Sequence, residues 1–394
     1  GGFTDSEVRC TIGRCFIQVL LAFPREKGNL IAFFKRTIHN LRNQPDMTDK
    51  KLRIGVIGLG MGKGHIRGFK THPRAEVAAV ADPDTARLET VADENNIPGK
   101  YASGEEMLES EQLDVVSIAT PNKFHKPLTV KALASGCHVL CEKPMAMNAA
   151  EACEMRDAAA RAGKRLMINF SFRFSEQAHA LKKQVDNGVL GEVYYGRTQW
   201  LRRRGMPGFG GWFGRKEMAG GGPLIDLGVH RLDLALWFMG YPKPVWVLAS
   251  TYDHIAAKLA KQADKPFDVE DFAAAMIKFD NGATLTLEAS WAGNVKEREK
   301  MSTQLLGTKG GLVHHNVGEW YDFEAELYME KDGCQYDMKL HPPVPEAKSS
   351  MHHFVESILS DTQHIATADE GVIVMELLDA IYESARTGEP VRVA

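Results

Sequence analysis

Beyond residue 52 the chain alternates short apolar runs with amphipathic stretches. The runs at 54–57, 77–81, 115–119, 139–141 and 165–169 predict strands. Most of them end in turn or polar residues: Gly58, Asp82, Thr120-Pro121-Asn122, and Glu142-Lys143-Pro144. Helical stretches lie between them at 84–94 and 124–135, the latter closed by Gly136. A third helix is predicted from an Asn148 N-cap, with Glu151 at the third helical position, to Gly163. Strand and helix taking turns in this way predict an α/β domain built on a parallel, doubly wound sheet.

The second half has a different rhythm. Residues 192–201, 272–279, 283–291 and 303–306 read as strands, with Asp280-Asn281-Gly282 joining the middle pair. Asn-Gly between two such runs is a hairpin signal, read as a turn with positive φ at both central positions. Gly307 and Gly310-Gly311 mark a further turn, and a last helix at 369–386 ends before Gly388 and a short strand at 390–393. These features predict an α+β domain on an open, mostly antiparallel sheet. The expected division is an extension over 1–50, a doubly wound α/β domain over 51–170, and the α+β domain over 171–394.

The first candidate site is the turn after the first strand, Gly58-Leu59-Gly60-Met61-Gly62-Lys63-Gly64. Glycines there let the backbone approach a pyrophosphate whose charge rests at a helix N-terminus. Gly58, Gly60, Met61 and Gly62 are the expected contacts. Asp82 ends the next strand 24 residues after Gly58, where a carboxylate accepts from an adenosine ribose and repels a 2′-phosphate. This favours NAD over NADP, although Arg87 places a cation nearby.

The second candidate pairs two segments. Lys143 follows a strand at the carboxyl edge of the sheet, where doubly wound folds bind ligands, and a lysine there can polarise a substrate oxygen. Gly220-Gly221-Gly222-Pro223 opens a predicted helix running to Met239, on which Asp226 and His230 stand four apart on one face. A carboxylate one turn from a histidine can orient the ring for acid–base work. The glycine run implies that something approaches the backbone closely.

Composition narrows the field. The chain has 394 residues, 44% apolar and 25% charged, with a net charge of −3, which excludes a general attraction to nucleic acid or anionic membrane. Its longest apolar run near the N-terminus, Cys15 to Phe23, is interrupted by Gln18 and is too short to span a bilayer. A cytoplasmic protein is expected. Six cysteines without a C-x-x-C pair make neither a disulfide framework nor a zinc site. His314-His315 and His352-His353 carry no third ligand at metal-site spacing, so no metal is expected. Residues 1–46, with seven Lys/Arg against four Asp/Glu, read as an extension upstream of a start at Met47. A targeting segment is the rival reading, weakened by Asp5, Glu7 and Glu26.

The glycine turn, Glu142-Lys143-Pro144, and the stretch from Gly220 to Trp237 together resemble the glucose–fructose oxidoreductase / inositol dehydrogenase / rhizopine catabolism (Gfo/Idh/MocA) family. Asn281-Gly282 and Ser384-Ala385-Arg386-Thr387-Gly388 extend the likeness to nearly all of the chain after residue 52. The glycine turn departs from the family in one respect, its histidine, His65, arriving one position early. The resemblance implies a dinucleotide-binding Rossmann domain over 51–170, followed over 171–394 by an open antiparallel sheet that carries substrate and subunit contacts. It also implies a homodimer or homotetramer and a catalytic set of Lys143, Asp226 and His230. It implies that Thr120, Pro121, Asn122 and His125 line the cofactor, with Glu142 near the nicotinamide ribose. Arg173 matches a position near the active site, as a substrate contact or an interdomain salt bridge. Trp212 and Phe213, after a glycine-rich loop at 205–211, can cover the nicotinamide or belong to the core. The activity implied is hydride transfer between the nicotinamide and a secondary hydroxyl of a sugar, inositol or related polyol. The alternative is a lyase or glycosidase that oxidises transiently and then eliminates. A non-catalytic sensor is disfavoured by the complete catalytic set.

Overall fold

The computed structural model describes residues 51–393; the readings for the N-terminal extension lie outside them. The first half runs β1 (Leu52–Ile57), α1 (Gly62–Lys70), β2 (Ala75–Ala81), α2 (Thr85–Asn95), β3 (Gly99–Tyr101), α3 (Gly104–Ser110), β4 (Val115–Ile118), α4 (His125–Ala134), β5 (His138–Cys141), α5 (Ala149–Ala162) and β6 (Leu166–Ile168). All six strands are parallel, in the order β3-β2-β1-β4-β5-β6. The strands are mostly apolar because helices cover both faces of such a sheet. Ile54, Val56, Val80, Val116, Ile118, Val139 and Leu140 are all fully buried. The helix ends follow their chemistry: Asn148 accepts from the Glu151 amide at 2.9 Å, and Gly163 closes α5 at φ 60°. Only β3 and α3 have no counterpart in the sequence reading.

The second half continues with α6 (Glu176–Asp186), β7 (Val193–Arg202), α7 (Lys216–Ala219), α8 (Val229–Met239), β8 (Pro244–Tyr252), α9 (Ala256–Gln262), β9 (Phe272–Phe279), β10 (Thr284–Ser290), β11 (Glu299–Gly307), β12 (Gly310–Asn316), β13 (Phe323–Lys331), β14 (Cys334–Lys339), α10 (Ser350–Leu359), α11 (Ala368–Thr387) and β15 (Val391–Arg392). Nine strands form one sheet in the order β14-β13-β12-β11-β7-β10-β9-β8-β15. Every neighbouring pair is antiparallel except β7 and β10. Helices α6, α8 and α11 pack on one face. The hairpin at 280–282 forms, but with different chemistry from that expected. Only Gly282 takes positive φ, 87°, while the Asn281 Oδ1 accepts from the Ala283 amide. A three-residue loop with a glycine in the left-handed region suffices there.

The two halves are stitched together rather than strung in series. Thr367 bridges to Met167 beside β6, and α11 packs against α5 of the first half. A single apolar core runs from Ile54 and Val116 through Leu232 and Ile277 to Val374 and Leu378.

Arg173 sits where the chain leaves the first half, in a short turn over Ser171–Phe174. Its side chain has no exposed surface. Nε and Nη2 donate to the two oxygens of Asp233 on α8, at 2.9 and 2.5 Å, and Nη1 donates to Glu370 of α11 at 2.9 Å. Tyr241 accepts from Nη2 and donates to Asp233 at 2.8 Å. This corrects the substrate-contact reading: the side chain is fully buried and each of its three nitrogens donates inside the protein, so Arg173 is a structural clamp. Burial pushes the Asp233 carboxyl above its usual range even against the guanidinium beside it. Removing the cation strands a buried carboxylate. Arg173→Met is therefore expected to destabilise the fold by about 3–5 kcal/mol, to be read from equilibrium urea unfolding; a loss under about 1 kcal/mol would show the clamp to be dispensable.

Candidate active site

The glycine turn forms as the dinucleotide reading requires. Gly58 has φ 87°, and a Cβ there would stand 2.6 Å from the Ala119 carbonyl oxygen, so no other residue fits between β1 and β4. Gly60 and Met61 face outward, and a Cβ on Gly60 would meet nothing within 4 Å. Gly62 begins α1 against Val56, which a Cβ would crowd at 2.9 Å. The result is an open backbone cradle at a helix N-terminus, beside the point where strand order reverses. Thr120, at that reversal, has a buried Oγ1 with no partner among the described residues. These features fit a dinucleotide.

Asp82 is held at the edge of the cradle. Its Oδ2 accepts from the Leu59 amide at 2.7 Å and its Oδ1 from the Asp84 amide at 2.9 Å. Arg87 approaches both oxygens at 3.3 Å and also pairs with Asp84 at 2.9 Å. Acceptor and cation thus stand together where an adenosine ribose would lie.

Further along the cleft, Glu142 is buried and fixed on two sides. Oε1 accepts from Asn169 Nδ2 at 2.5 Å and faces His65 Nε2 at 2.8 Å; His65 Nδ1 meets Ser117 Oγ at 2.6 Å. These bonds hold the carboxyl below its usual range against the cost of burial. His125 does not line the cleft. Its buried ring nitrogens lie 2.8 and 2.9 Å from the carbonyls of Pro144 and Thr120, tying the turns after β5 and β4 together. Asn122 is likewise turned inward, donating to the Ala219 carbonyl at 2.7 Å. Both residues shape the cleft through backbone position, and Pro121 opens the short turn that carries Asn122.

The helix expected from Pro223 to Met239 is two elements. Leu224–Gly228 forms a π-helical turn, and α8 follows. Such turns leave carbonyls without their regular partner and recur at functional sites. Here the Asp226 carbonyl accepts from Lys143 Nζ at 2.9 Å, and Asp226 Oδ1 accepts from the same nitrogen at 2.9 Å. Asp226 Oδ2 accepts from Trp291 Nε1 at 3.0 Å. Asp226 therefore orients Lys143, which corrects the expectation that it orients His230. A full cation within reach outcompetes a neutral ring for the carboxylate. Two N–H bonds of the ammonium are used, and one remains for a substrate oxygen.

The glycines before this turn also serve a purpose that was not foreseen. A Cβ on Gly221 would fall 1.9 Å from the Tyr382 hydroxyl, and one on Gly222 would fall 2.0 Å from the Glu270 carbonyl. What approaches the backbone closely is the chain itself. Glu270 accepts from the amides of Gly222 and Leu224 at 2.9 and 3.1 Å, and Tyr382 donates to it at 3.0 Å. It caps the π-helical turn with a carboxylate, which no local pattern announces.

His230 lies in an aromatic box. Phe172 meets its ring edge-on at 5.0 Å and Trp200 lies tilted at 5.7 Å. Nδ1 is buried without a partner, whereas Nε2 makes no bond and remains accessible. Burial, then the charges of Lys143, Arg231 and Arg202, push its pKa well below the usual histidine value, so the ring is neutral at physiological pH. Trp200 donates to Glu299 at 2.7 Å, and Arg202 pairs with the same carboxylate at 2.7 Å. Arg202 also donates to Tyr321 at 3.2 Å. Trp212 stacks on Phe213 at 3.8 Å, and Phe213 stands edge-on to the buried Trp291 at 6.4 Å.

His314 and His315 point to opposite faces of β12. The register of β12 and β13 nevertheless groups His315 with Glu324 and Glu326, at a spacing able to hold a metal ion. Both carboxylates already have partners, Lys339 at 2.6 Å and Tyr328. Sequence spacing could not show this group because strand pairing creates it.

One half of the molecule thus presents a dinucleotide cradle and Lys143, and the other contributes Asp226, which holds that lysine, and a neutral histidine. That arrangement fits a nicotinamide-dependent oxidoreductase. The chain belongs to the Gfo/Idh/MocA family: residues 52–170 match the family's NAD-binding Rossmann fold and residues 182–393 match its C-terminal alpha/beta domain. It is 35% identical over 356 residues to D-glucoside 3-dehydrogenase of Escherichia coli (strain K12), covering 88% of this chain and 99% of that one. It is 29% identical over 348 residues to D-xylose 1-dehydrogenase (NADP(+)) 2 of Haloferax volcanii, covering 87% of this chain and 100% of that one. Among solved structures, the aldose–aldose oxidoreductase of Caulobacter crescentus, complexed with glycerol, is similar with a TM-score of 0.74 at 26% identity. That likeness covers 87% of this chain and 100% of the other. The protein is an NAD(P)-dependent oxidoreductase.

Proposed function

We propose that this protein is a sugar dehydrogenase that oxidises a secondary hydroxyl of a glycoside or related sugar with NAD. The observation that carries this reading is the meeting of Lys143, with one N–H free, and His230, neutral and with Nε2 accessible, at the carboxyl edge of the Rossmann sheet. The names of the sugar-oxidising relatives support it. The bound dinucleotide supplies the hydride acceptor. Lys143 donates its remaining N–H to the hydroxyl oxygen and stabilises the negative charge that develops there. His230 accepts the hydroxyl proton at Nε2, which a neutral ring can do and an imidazolium cannot. Asp226 fixes the lysine, and Trp291 fixes Asp226. Phe172 and Tyr321 supply apolar ring surface of the kind that packs against sugar C–H groups, with Trp200 buried behind them.

The assignment is tested by substitution. Lys143→Ala and His230→Ala are each expected to lower kcat at least ~100-fold while NAD affinity stays nearly unchanged. Asp226→Asn should also lower kcat, since it removes the charge that holds Lys143. For oxidation, kcat/KM should rise with pH as His230 loses its proton, through a limb below the ordinary histidine range, and His230→Ala should abolish that limb. Near-normal turnover in His230→Ala, with the limb intact, would remove the histidine from the chemistry.

For the cofactor, the buried Asp82 carboxylate favours a ribose hydroxyl over a 2′-phosphate, with Arg87 partly offsetting its charge. NAD should bind more tightly than NADP, and Asp82→Ser should narrow the gap. The ratio of the two dissociation constants is the readout, because the Leu59 amide loses its partner in the same variant. Tighter NADP binding by the unaltered protein would reverse the assignment.

For assembly, Leu248, Tyr252 and Met276 stand exposed on the large sheet, on strands β8 and β9, with Leu248 paired directly to Met276. An apolar sheet surface of this kind calls for a cover. A homodimer or homotetramer is expected by light scattering at micromolar concentration, and a monomer mass would count against it.

A further inference from the structure

Two arginines on or beside the α8 segment are completely buried, and they are treated very differently. Arg173 has two carboxylates and a phenol around it. Arg231, the residue after His230, has none: among the described residues no carboxylate pairs with its guanidinium. Nε and Nη2 have no hydrogen-bond partner, and Nη1 meets only His314 Nδ1 at 3.3 Å. Because a guanidinium can only donate, His314 accepts through Nδ1 and carries its proton on Nε2, which is also buried without a partner. Phe172 and Phe323 flank the cation, their ring centres 5.2 and 5.5 Å from Cζ. Burial pushes the Arg231 pKa down to about 9, which still leaves it charged at neutral pH. An unpaired charge in such surroundings is costly.

The charge lies next to the one group that uses it. Phe172 touches both residues, meeting the His230 ring at 5.0 Å and the Arg231 guanidinium at 5.2 Å. We propose that Arg231 is a positioning residue for the reaction, an uncompensated buried cation that keeps the neighbouring His230 ring in its neutral, proton-accepting form. The charges facing His230 can be set out by element. Lys143, from the turn after β5, is countered by Asp226 at 2.9 Å, and Asp226 itself lies one turn before His230. Arg202, from β7, is countered by Glu299 of β11 at 2.7 Å and also contacts Tyr321. His314, from β12, is held neutral by burial and by the arginine against it. Arg231 alone among these cations has no counter-charge, so its field at His230 is undiminished. In an apolar surround that field is screened far less than it would be in water. The effect adds to burial and to Lys143 in keeping the ring unprotonated.

This inference rests on His230 acting as the base, and the test separates the two. Arg231→Met, Arg231→Gln and Arg231→Lys are compared in the full chain. Histidines labelled at Cε1 are titrated by NMR, the His230 signal being the one lost in His230→Gln. In both neutral variants the His230 titration should move to higher pH, and Arg231→Lys should keep it near its original position. The acid limb of kcat/KM should follow, so that below it the rate falls about tenfold for each unit moved. The melting temperature of Arg231→Met should not drop, since an unpaired charge has left the interior. A folded Arg231→Met with an unmoved His230 titration overturns the proposal. So does failure of both neutral variants to fold, which would make the guanidinium a structural group. If His230→Ala keeps its acid limb, the base assignment fails, but the NMR titration still decides what Arg231 does to the ring.

Discussion

The geometry of the candidate site depends on a buried ion cluster that touches none of the proposed reacting groups. Arg173 grips Asp233 of α8 with two nitrogens and Glu370 of α11 with a third. The first grip fixes the helix that carries His230 against the point where the chain leaves the Rossmann half. The second fixes the helix that returns from the far end of the chain to pack on α5. Glu370 is doubly committed, because it also completes the capping box of α11 with Thr367. One guanidinium therefore ties both α8 and α11 to the point where the chain leaves the Rossmann half. The desolvation of three charged groups is offset only because each has its partners in place.

Within that frame the site is assembled by bonds that cross from one half to the other. Lys143 belongs to the end of β5, yet its position is set by the backbone and side chain of Asp226 in the π-helical turn. Asn122 belongs to the turn after β4, yet it holds the carbonyl of Ala219. The π-helical turn is itself maintained by Glu270 and by the close approach of Tyr382, for which Gly221 and Gly222 must lack side chains. Glycine next to a catalytic helix is commonly attributed to ligand access. Here steric distances of 1.9 and 2.0 Å assign it to internal packing.

What the sequence disclosed and what it hid follow from the range of the interactions. The glycine turn, Asp82, Lys143 at a strand end and the hairpin at 280–282 were legible because their chemistry is local. Each depends on residues a few positions apart in a regular element. Strand β14 was not read because it is exposed along its whole length and lacks an apolar face, and β12 and β13 were missed because histidine or glutamate side chains interrupt their apolar positions. The partners of Asp226 were misread for the opposite reason. The residue four positions away was visible, whereas Lys143 and Trp291, 83 and 65 positions distant, were not. Arg173 was legible as one of two alternatives, and only its burial decided between them. Glu270, Glu299 and Arg202 gave no signal, because a carboxylate capping a turn from another strand looks like any other surface charge in one dimension.

The contrast between the two buried arginines shows why burial alone does not identify a role. Both side chains are excluded from water, and both lie against Phe and other aromatic rings. Each of the three nitrogens of Arg173 donates to oxygen, and a group so satisfied is explained by the fold. Arg231 keeps two nitrogens unanswered, beside a histidine whose second nitrogen is also unanswered. A folded protein normally satisfies its buried polar groups, and the exceptions concentrate where function holds them. Among the described residues, unsatisfied buried atoms also occur on Thr120, Thr129, Asn169, Ser290 and His315, one or another in each half of the molecule. His230, Arg231 and His314 differ from these in adjoining one another: the first two are consecutive on α8, and His314 meets the Arg231 guanidinium. It is this adjacency of an unanswered cation to a histidine, and not unsatisfied polarity as such, that separates Arg231 from Arg173.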